Sequence, residues 1–186
     1  MLRVIGLAAV MCLAALPASA AQWEVVPGKS RLGFIATQNN KEFTGEFKAF
    51  SADISFDPQA LGSSAATVNV DTGSIHMKRP KDEIEAARGP DWFNVKKHPK
   101  AVFKTTAIRK TGDNSYAADA KLTIRGVTQK VTLPFTLDIT GDTAKMKGAA
   151  TINRGAFGVG QGQFAKGKWF GLDVKVTVDL TAKRKS

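Results

Sequence analysis

The 186-residue chain carries 27 Lys+Arg against 16 Asp+Glu, a formal net charge of +11, and 43% of its residues are hydrophobic. One domain of ordinary size fits that length and can bury roughly 70% of the surface its unfolded chain exposes. A charged fraction of 23% excludes disordered, collagen-like and polytopic membrane classes, and the single cysteine, Cys12, excludes a disulfide framework or a cysteine-based zinc site.

Residues 1–20 read as a secretory signal. Arg3 supplies the positive n-region, Val4 to Leu16 the apolar run, Pro17 the break, and Ala18-Ser19-Ala20 the small-x-small site. Cleavage is expected after Ala20, leaving residues 21–186 as one domain. The apolar run is too short for a mature anchor, which takes about 20 residues. Cys12 follows Met11 inside that run, the wrong context for lipidation. Without residues 1–20 the product has no cysteine and is indifferent to an oxidising compartment. The compact, Ala-rich signal points to a bacterial periplasm.

Beyond Trp23, period-two alternation dominates. It predicts strands over residues 30–36, 43–47, 53–56, 65–70, 101–108, 116–124, 130–139, 144–152 and 172–180. The last is the cleanest: Leu172, Val174, Val176, Val178 and Leu180 face one way, and Asp173, Lys175, Thr177 and Asp179 the other. Gly28, Asp57-Pro58, Gly112-Asp113-Asn114, Gly126 and Gly141-Asp142 mark turns. One helix is predicted, Lys81 to Arg88, with Asp82, Glu83 and Glu85 ahead of Arg88 in the order the helix dipole favours and Gly89-Pro90 as its stop. Short turns between amphipathic strands indicate an antiparallel sandwich or barrel, and periodicity does not choose between them.

Little chemistry is assembled in this sequence. The two histidines, His76 and His98, are isolated and read as partly exposed loop residues. No G-x-S-x-G elbow is present, and the glycine-rich stretch 155–162 lacks the lysine-serine ending and the following helix of a phosphate loop. The predicted product is therefore not an enzyme and needs neither metal nor cofactor. Asp91-Trp92-Phe93 and Trp169-Phe170 place aromatics beside loops, where they either pack a barrel end or grip an apolar ligand. Lysines alternate along strands instead of forming one stripe, which argues against nucleic acid and for attraction to an anionic membrane surface.

Four segments, in order, carry a resemblance. They are Trp23-Glu24-Val25-Val26-Pro27 with Ser30-Arg31-Leu32-Gly33-Phe34; Asp91-Trp92-Phe93-Asn94-Val95 followed by His98-Pro99-Lys100-Ala101-Val102-Phe103; Leu122-Thr123-Ile124-Arg125-Gly126-Val127-Thr128-Gln129-Lys130-Val131; and Ile152-Asn153-Arg154-Gly155-Ala156-Phe157-Gly158. Together they resemble the YceI family of exported lipid-binding proteins across nearly the whole mature chain. The chain departs from the family pattern at Asn94 and at Pro27-Gly28-Lys29-Ser30.

The resemblance implies an all-β, eight-stranded, antiparallel lipocalin-like barrel with one short helical segment. Its apolar tunnel would hold a polyisoprenoid lipid, either an isoprenoid quinone of the ubiquinone type or a prenyl phosphate. The alternation then nominates Leu32, Phe34, Phe47, Val68, Phe103, Leu122, Leu133, Phe135, Ile152, Val174 and Val176 as tunnel residues. Trp92, Phe157 and Trp169 are nominated for the mouth. Arg125 and Arg154 are nominated for the head group, since guanidinium presents a planar fork of donors. The leading expectation is a periplasmic carrier, with a quinone-presenting accessory of a membrane b-type cytochrome, or an envelope-stress barrel, as alternatives.

Overall fold

The computed structural model describes residues 20–185; the expected export signal, Ala20 apart, lies outside the described residues. Eleven strands follow in chain order: β1 (Gln22–Val25), β2 (Arg31–Gln38), β3 (Lys41–Phe47), β4 (Phe50–Ser55), β5 (Ala65–Asp71), β6 (Ile75–Met77), then helix α1 (Lys81–Arg88), β7 (Lys100–Lys110), β8 (Ser115–Ile124), β9 (Val127–Thr140), β10 (Thr143–Asn153) and β11 (Asp173–Arg184). Every pairing among them is antiparallel.

These strands occupy eight positions around one closed ring. The ladder runs β1–β4–β5–β7–β8–β9–β10–β11, and β11 pairs back to β1. β2, β3 and β6 extend the first three arms beyond a break in each. The first break turns at Gly28, whose φ of 78° favours glycine. Ser30 Oγ holds it to β11, donating to the Thr181 carbonyl at 3.2 Å and accepting from Thr181 N at 3.1 Å. The other two breaks, at Lys48-Ala49 and Thr72–Ser74, lie side by side: Ala49 N donates to Ser74 Oγ at 3.0 Å, and Asp71 caps the short turn through Gly73 N at 2.8 Å. Together they form a corner at which the sheet bends into a barrel.

One irregularity in the wall follows from proline chemistry. β9 and β10 pair only as far as Phe135 opposite Gly148; the next residue of β9, Pro134, has no N–H to donate. Past that point Gln129 Nε2 on β9 reaches instead to the Ala156 carbonyl at 3.2 Å.

Helix α1 matches its predicted span. His76, expected in a loop, lies instead on β6 opposite Glu46, exposed. The sequence read as loop there because β6 is only three residues long and is paired on β3 alone.

Two packed regions stopper the barrel. At the end where the described residues begin and finish, the termini end, Trp23, Phe56, Tyr116, Leu137, Ala144 and Ala182 form a buried cluster. Trp23 Nε1 donates to the Phe56 carbonyl at 3.0 Å, and the Phe56 and Tyr116 rings meet edge to face at 5.5 Å. The opposite end is covered by α1, by residues 89–99 and by the long β10–β11 connection, with Phe157 and Val159 buried among Val70, Ala101 and Ile124.

Candidate functional site

Between the two packed regions runs a cavity of about 540 Å³, within the range of about 300–1,000 Å³ that small-molecule sites occupy. Every strand of the ring contributes its inward face, as the alternation requires. β11 illustrates the rule: Val174, Val176, Val178, Leu180 and Ala182 line the space while Lys175, Thr177 and Asp179 do not. On β7 the register slips between Thr105 and Ala107, so Thr105 and Ile108 both face inward across the bulge.

All eleven residues nominated for the tunnel, namely Leu32, Phe34, Phe47, Val68, Phe103, Leu122, Leu133, Phe135, Ile152, Val174 and Val176, line this one cavity. The mouth residues divide. Trp92 and Arg154 line the cavity, whereas Phe157, Trp169 and Arg125 do not. Phe157 is 2% exposed and belongs to the packed core, not to a mouth. Trp169 is 46% exposed and turned outward, with Lys168 Nζ 5.0 Å from its ring centroid. The adjacent Phe170 takes the inward side, because the bridge between Gln38 and Phe170 fixes an extended pairing in which neighbours point opposite ways.

Neither nominated arginine presents its donors to the cavity as expected. Arg154 is 5% exposed, and its guanidinium donates to the carbonyls of Gly171 (2.8 Å), Val159 (2.7 Å), Gly160 (3.4 Å), Phe164 (2.8 Å) and Phe170 (2.6 Å). It also lies 5.2 Å from the centre of the Trp92 ring. Burial lowers its pKa from the ordinary arginine value, and the surrounding carbonyl oxygens satisfy the charge that burial would otherwise penalise. Gly160 makes the arrangement feasible: a Cβ there would lie 2.1 Å from Arg154 Nη1, and its φ of 82° favours glycine. Arg125, at a φ of 52° in the β8–β9 turn, donates through Nη1 to the carbonyls of Pro90 (2.7 Å) and Trp92.

Three of the four segments that carried the resemblance, all but the one that begins at Trp23, therefore meet at one end of the barrel. The Asp91-Trp92-Phe93 loop accepts through the Asp91 carbonyl from Gly160 N and Gln161 N, both at 2.8 Å, while Arg125 and Arg154 hold its other side. Trp92, Phe164 and Phe170 close the group with centroid separations of 5.0–5.7 Å. In this chain those segments build the cap of the barrel.

Along the cavity wall most polar side chains are already committed. Thr105 Oγ1 accepts from Ala66 N at 2.9 Å, Ser55 Oγ donates to the Ala20 carbonyl at 3.4 Å, and Arg154 is spent on the cap. The exceptions cluster at the α1 end, where Gln38, Arg79 and Glu83 also line the cavity. Arg79 Nε donates to Glu83 Oε2 at 2.5 Å, Arg79 Nη2 donates to Gln38 Oε1, and the guanidinium carbon lies 4.9 Å from the Phe43 ring centroid. Sequence reading missed all three. In the sequence Glu83 reads as part of the helix-dipole order, and only the i, i+4 spacing of Arg79 and Glu83 hints at an ion pair.

Comparison with known proteins places this geometry. A YceI-like domain model matches residues 23–182. UPF0312 proteins of Pseudomonas putida are 31% identical over 141 residues, covering 71% of this chain and 71% of theirs. The crystal structure of Burkholderia cenocepacia BcnA is 33% identical and superposes with a TM-score of 0.82, covering 86% of this chain and all of that one. A polyisoprenoid binding domain from Saccharophagus degradans, implicated in plant cell wall breakdown, superposes with a TM-score of 0.73 over 89% of this chain and 99% of that one at 14% identity, a likeness of fold.

Proposed function

The chain belongs to the YceI-like family, and on that premise we propose that it is a carrier which holds one polyisoprenoid lipid in the barrel cavity and performs no chemistry on it. The observation that carries this reading is the continuous apolar cavity, about 540 Å³ in volume and lined by the inward faces of the whole ring. Transferring a prenyl chain from water to such a wall gains about 25 cal/mol per Å² of apolar surface removed. The polyisoprenoid-binding domain from Saccharophagus degradans, built on the same fold, supports the ligand class. An isoprenoid quinone and a prenyl phosphate share that chain and differ in the head.

The carrier works in the periplasm on this proposal, loading from an anionic membrane surface to which the chain's positive charge attracts it. Presentation of a bound quinone to a membrane b-type cytochrome stays an expectation of the resemblance alone. Titration of the delipidated protein with long-chain prenyl lipids tests the proposal. Saturable uptake at one lipid per chain is the expected result, and absence of saturable uptake would refute it.

A further inference from the structure

An amphiphile that threads its tail into an apolar cavity has to satisfy its polar head somewhere along the wall. At one place on the wall, several charged and amide groups with unspent hydrogen-bonding capacity come together. With Nε on Glu83 and Nη2 on Gln38, the Arg79 guanidinium retains Nη1; Gln38 retains Nε2, and Glu83 retains Oε1. None of these three atoms has a hydrogen-bond partner in the protein among the described residues. They supply two donor groups and one acceptor, on three residues that line the cavity at the junction between β2 and α1.

The charge of the group narrows what it can take. Arg79 and Glu83 cancel, so the cluster is electrically balanced before a ligand arrives. A carbonyl or hydroxyl oxygen can accept from Arg79 and Gln38 without disturbing that balance. A phosphate would bring a second anion against the Glu83 carboxylate, and like charges in a partly desolvated site repel. Beneath the guanidinium lies Phe43, itself edge to face with Phe34 and Phe170 at 6.4 Å. Flat rings therefore line the space beside the polar trio, a surface on which another flat ring can pack.

Resting on the lipid-carrier reading, we propose that Gln38, Arg79 and Glu83 form the head-group site, and that it selects an uncharged, oxygen-bearing head over a phosphorylated one. The site lies at the α1 end, so the tail runs toward Trp23 and Phe56. Arg79 is the donor to the head oxygen, and Glu83 is the element that rejects a phosphate.

Calorimetric titration of the delipidated full chain with three probes tests this: a prenyl quinone, a prenyl monophosphate of equal chain length, and squalene, which has a tail and no head. The wild type is expected to bind the quinone about tenfold or more above the phosphate. Arg79→Gln should weaken the quinone about tenfold and leave squalene unchanged. Glu83→Gln should strengthen the phosphate several-fold. The head-group site is overturned if Arg79→Gln leaves the quinone unaffected, if it weakens squalene as much as the quinone, or if Glu83→Gln does not improve the phosphate. Failure of squalene to bind the wild type would instead overturn the carrier reading itself.

Discussion

The two ends of the barrel close by different physics. The termini end is stoppered by apolar packing within the ring itself, with Trp23, Phe56 and Tyr116 turned in from the wall strands and the segment just beyond β4. The α1 end is closed by added chain, a helix and two long connections, held together by arginine donors on backbone carbonyls. Their charges differ as well. The termini-end turns carry Asp57, Asp113 and Asp142, the last opposed by Arg184 at 3.5 Å. The α1-end connections carry Lys78, Lys81, Lys96, Lys97, Lys166 and Lys168, against four carboxylates of which Glu83 and Glu85 are already paired. The exposed large hydrophobic residues among those described, Val127 and Trp169, are at the α1 end too. The stopper opens only by losing core contacts within the wall strands, whereas the cap, although it buries Phe157 and Val159, is added chain that can open without unpairing the wall. On the lipid-carrier proposal, this contrast assigns the entry to the α1 end and the floor to the termini end.

The largest effect should come from the cap's centre. Arg154→Met removes the donors of five carbonyls and should cost about 4–5 kcal/mol, read as a loss of denaturant midpoint, with hydrogen-exchange protection falling first over residues 158–171. Uniform loss of protection over the whole barrel would show that the cap is not a separate unit. Trp23→Ala should cost about 3–4 kcal/mol through the cavity it leaves, and here exchange should rise across β1, β4 and β11 together; protection lost at the α1 end instead would erase the distinction between stopper and cap.

A smaller effect sharpens the electrostatic half of the contrast. Lys166→Glu combined with Lys168→Glu should weaken sedimentation with anionic vesicles several-fold and flatten its salt dependence. The same reversal at Lys183 and Lys185 should do less. Equal effects would mean that the charge acts as a whole and that neither end is preferred.

The smallest effect is a pH dependence at the corner of the wall. The Glu46 carboxyl is held below the usual carboxylate range, first by its hydrogen bond from Lys48 and then by the charges of Arg31, Lys48 and His76, while partial burial opposes them. Arg31 and Lys48 approach it to 2.9 and 2.5 Å. A depressed folded-state pKa contributes stability that is present above the unfolded value and is lost as pH falls through the folded one. Glu46→Gln should therefore lower stability slightly at neutral pH and converge with the wild type below about pH 4. A difference that grows on acidification would contradict that assignment.

How legible this molecule was in its sequence depended on whether a feature is local. Alternation in β11 and the acid-to-base order of α1 are written in consecutive residues, and both gave the observed element. The Asn39-Asn40 turn, with φ values of 49° and 62°, was equally local and was overlooked. The broken arms were illegible because each break is fixed from another strand, as Ser30 is by Thr181. Arg154 misled for a related reason. A guanidinium looks available in a sequence, and only the fold shows that the carbonyls from Val159 to Gly171 surround it. Arg79 was passed over for the converse reason, since it turns inward only where β2 and α1 meet.

The central claim is that the cavity between these ends holds one isoprenoid chain, and native mass spectrometry of the protein, gently purified from its own cells, tests it most directly. The account predicts one tightly held polyisoprenoid adduct per chain, absent from an Ala150→Trp variant that folds but fills the middle of the cavity. A wild-type protein without an adduct, or an adduct retained undiminished by Ala150→Trp, would contradict it.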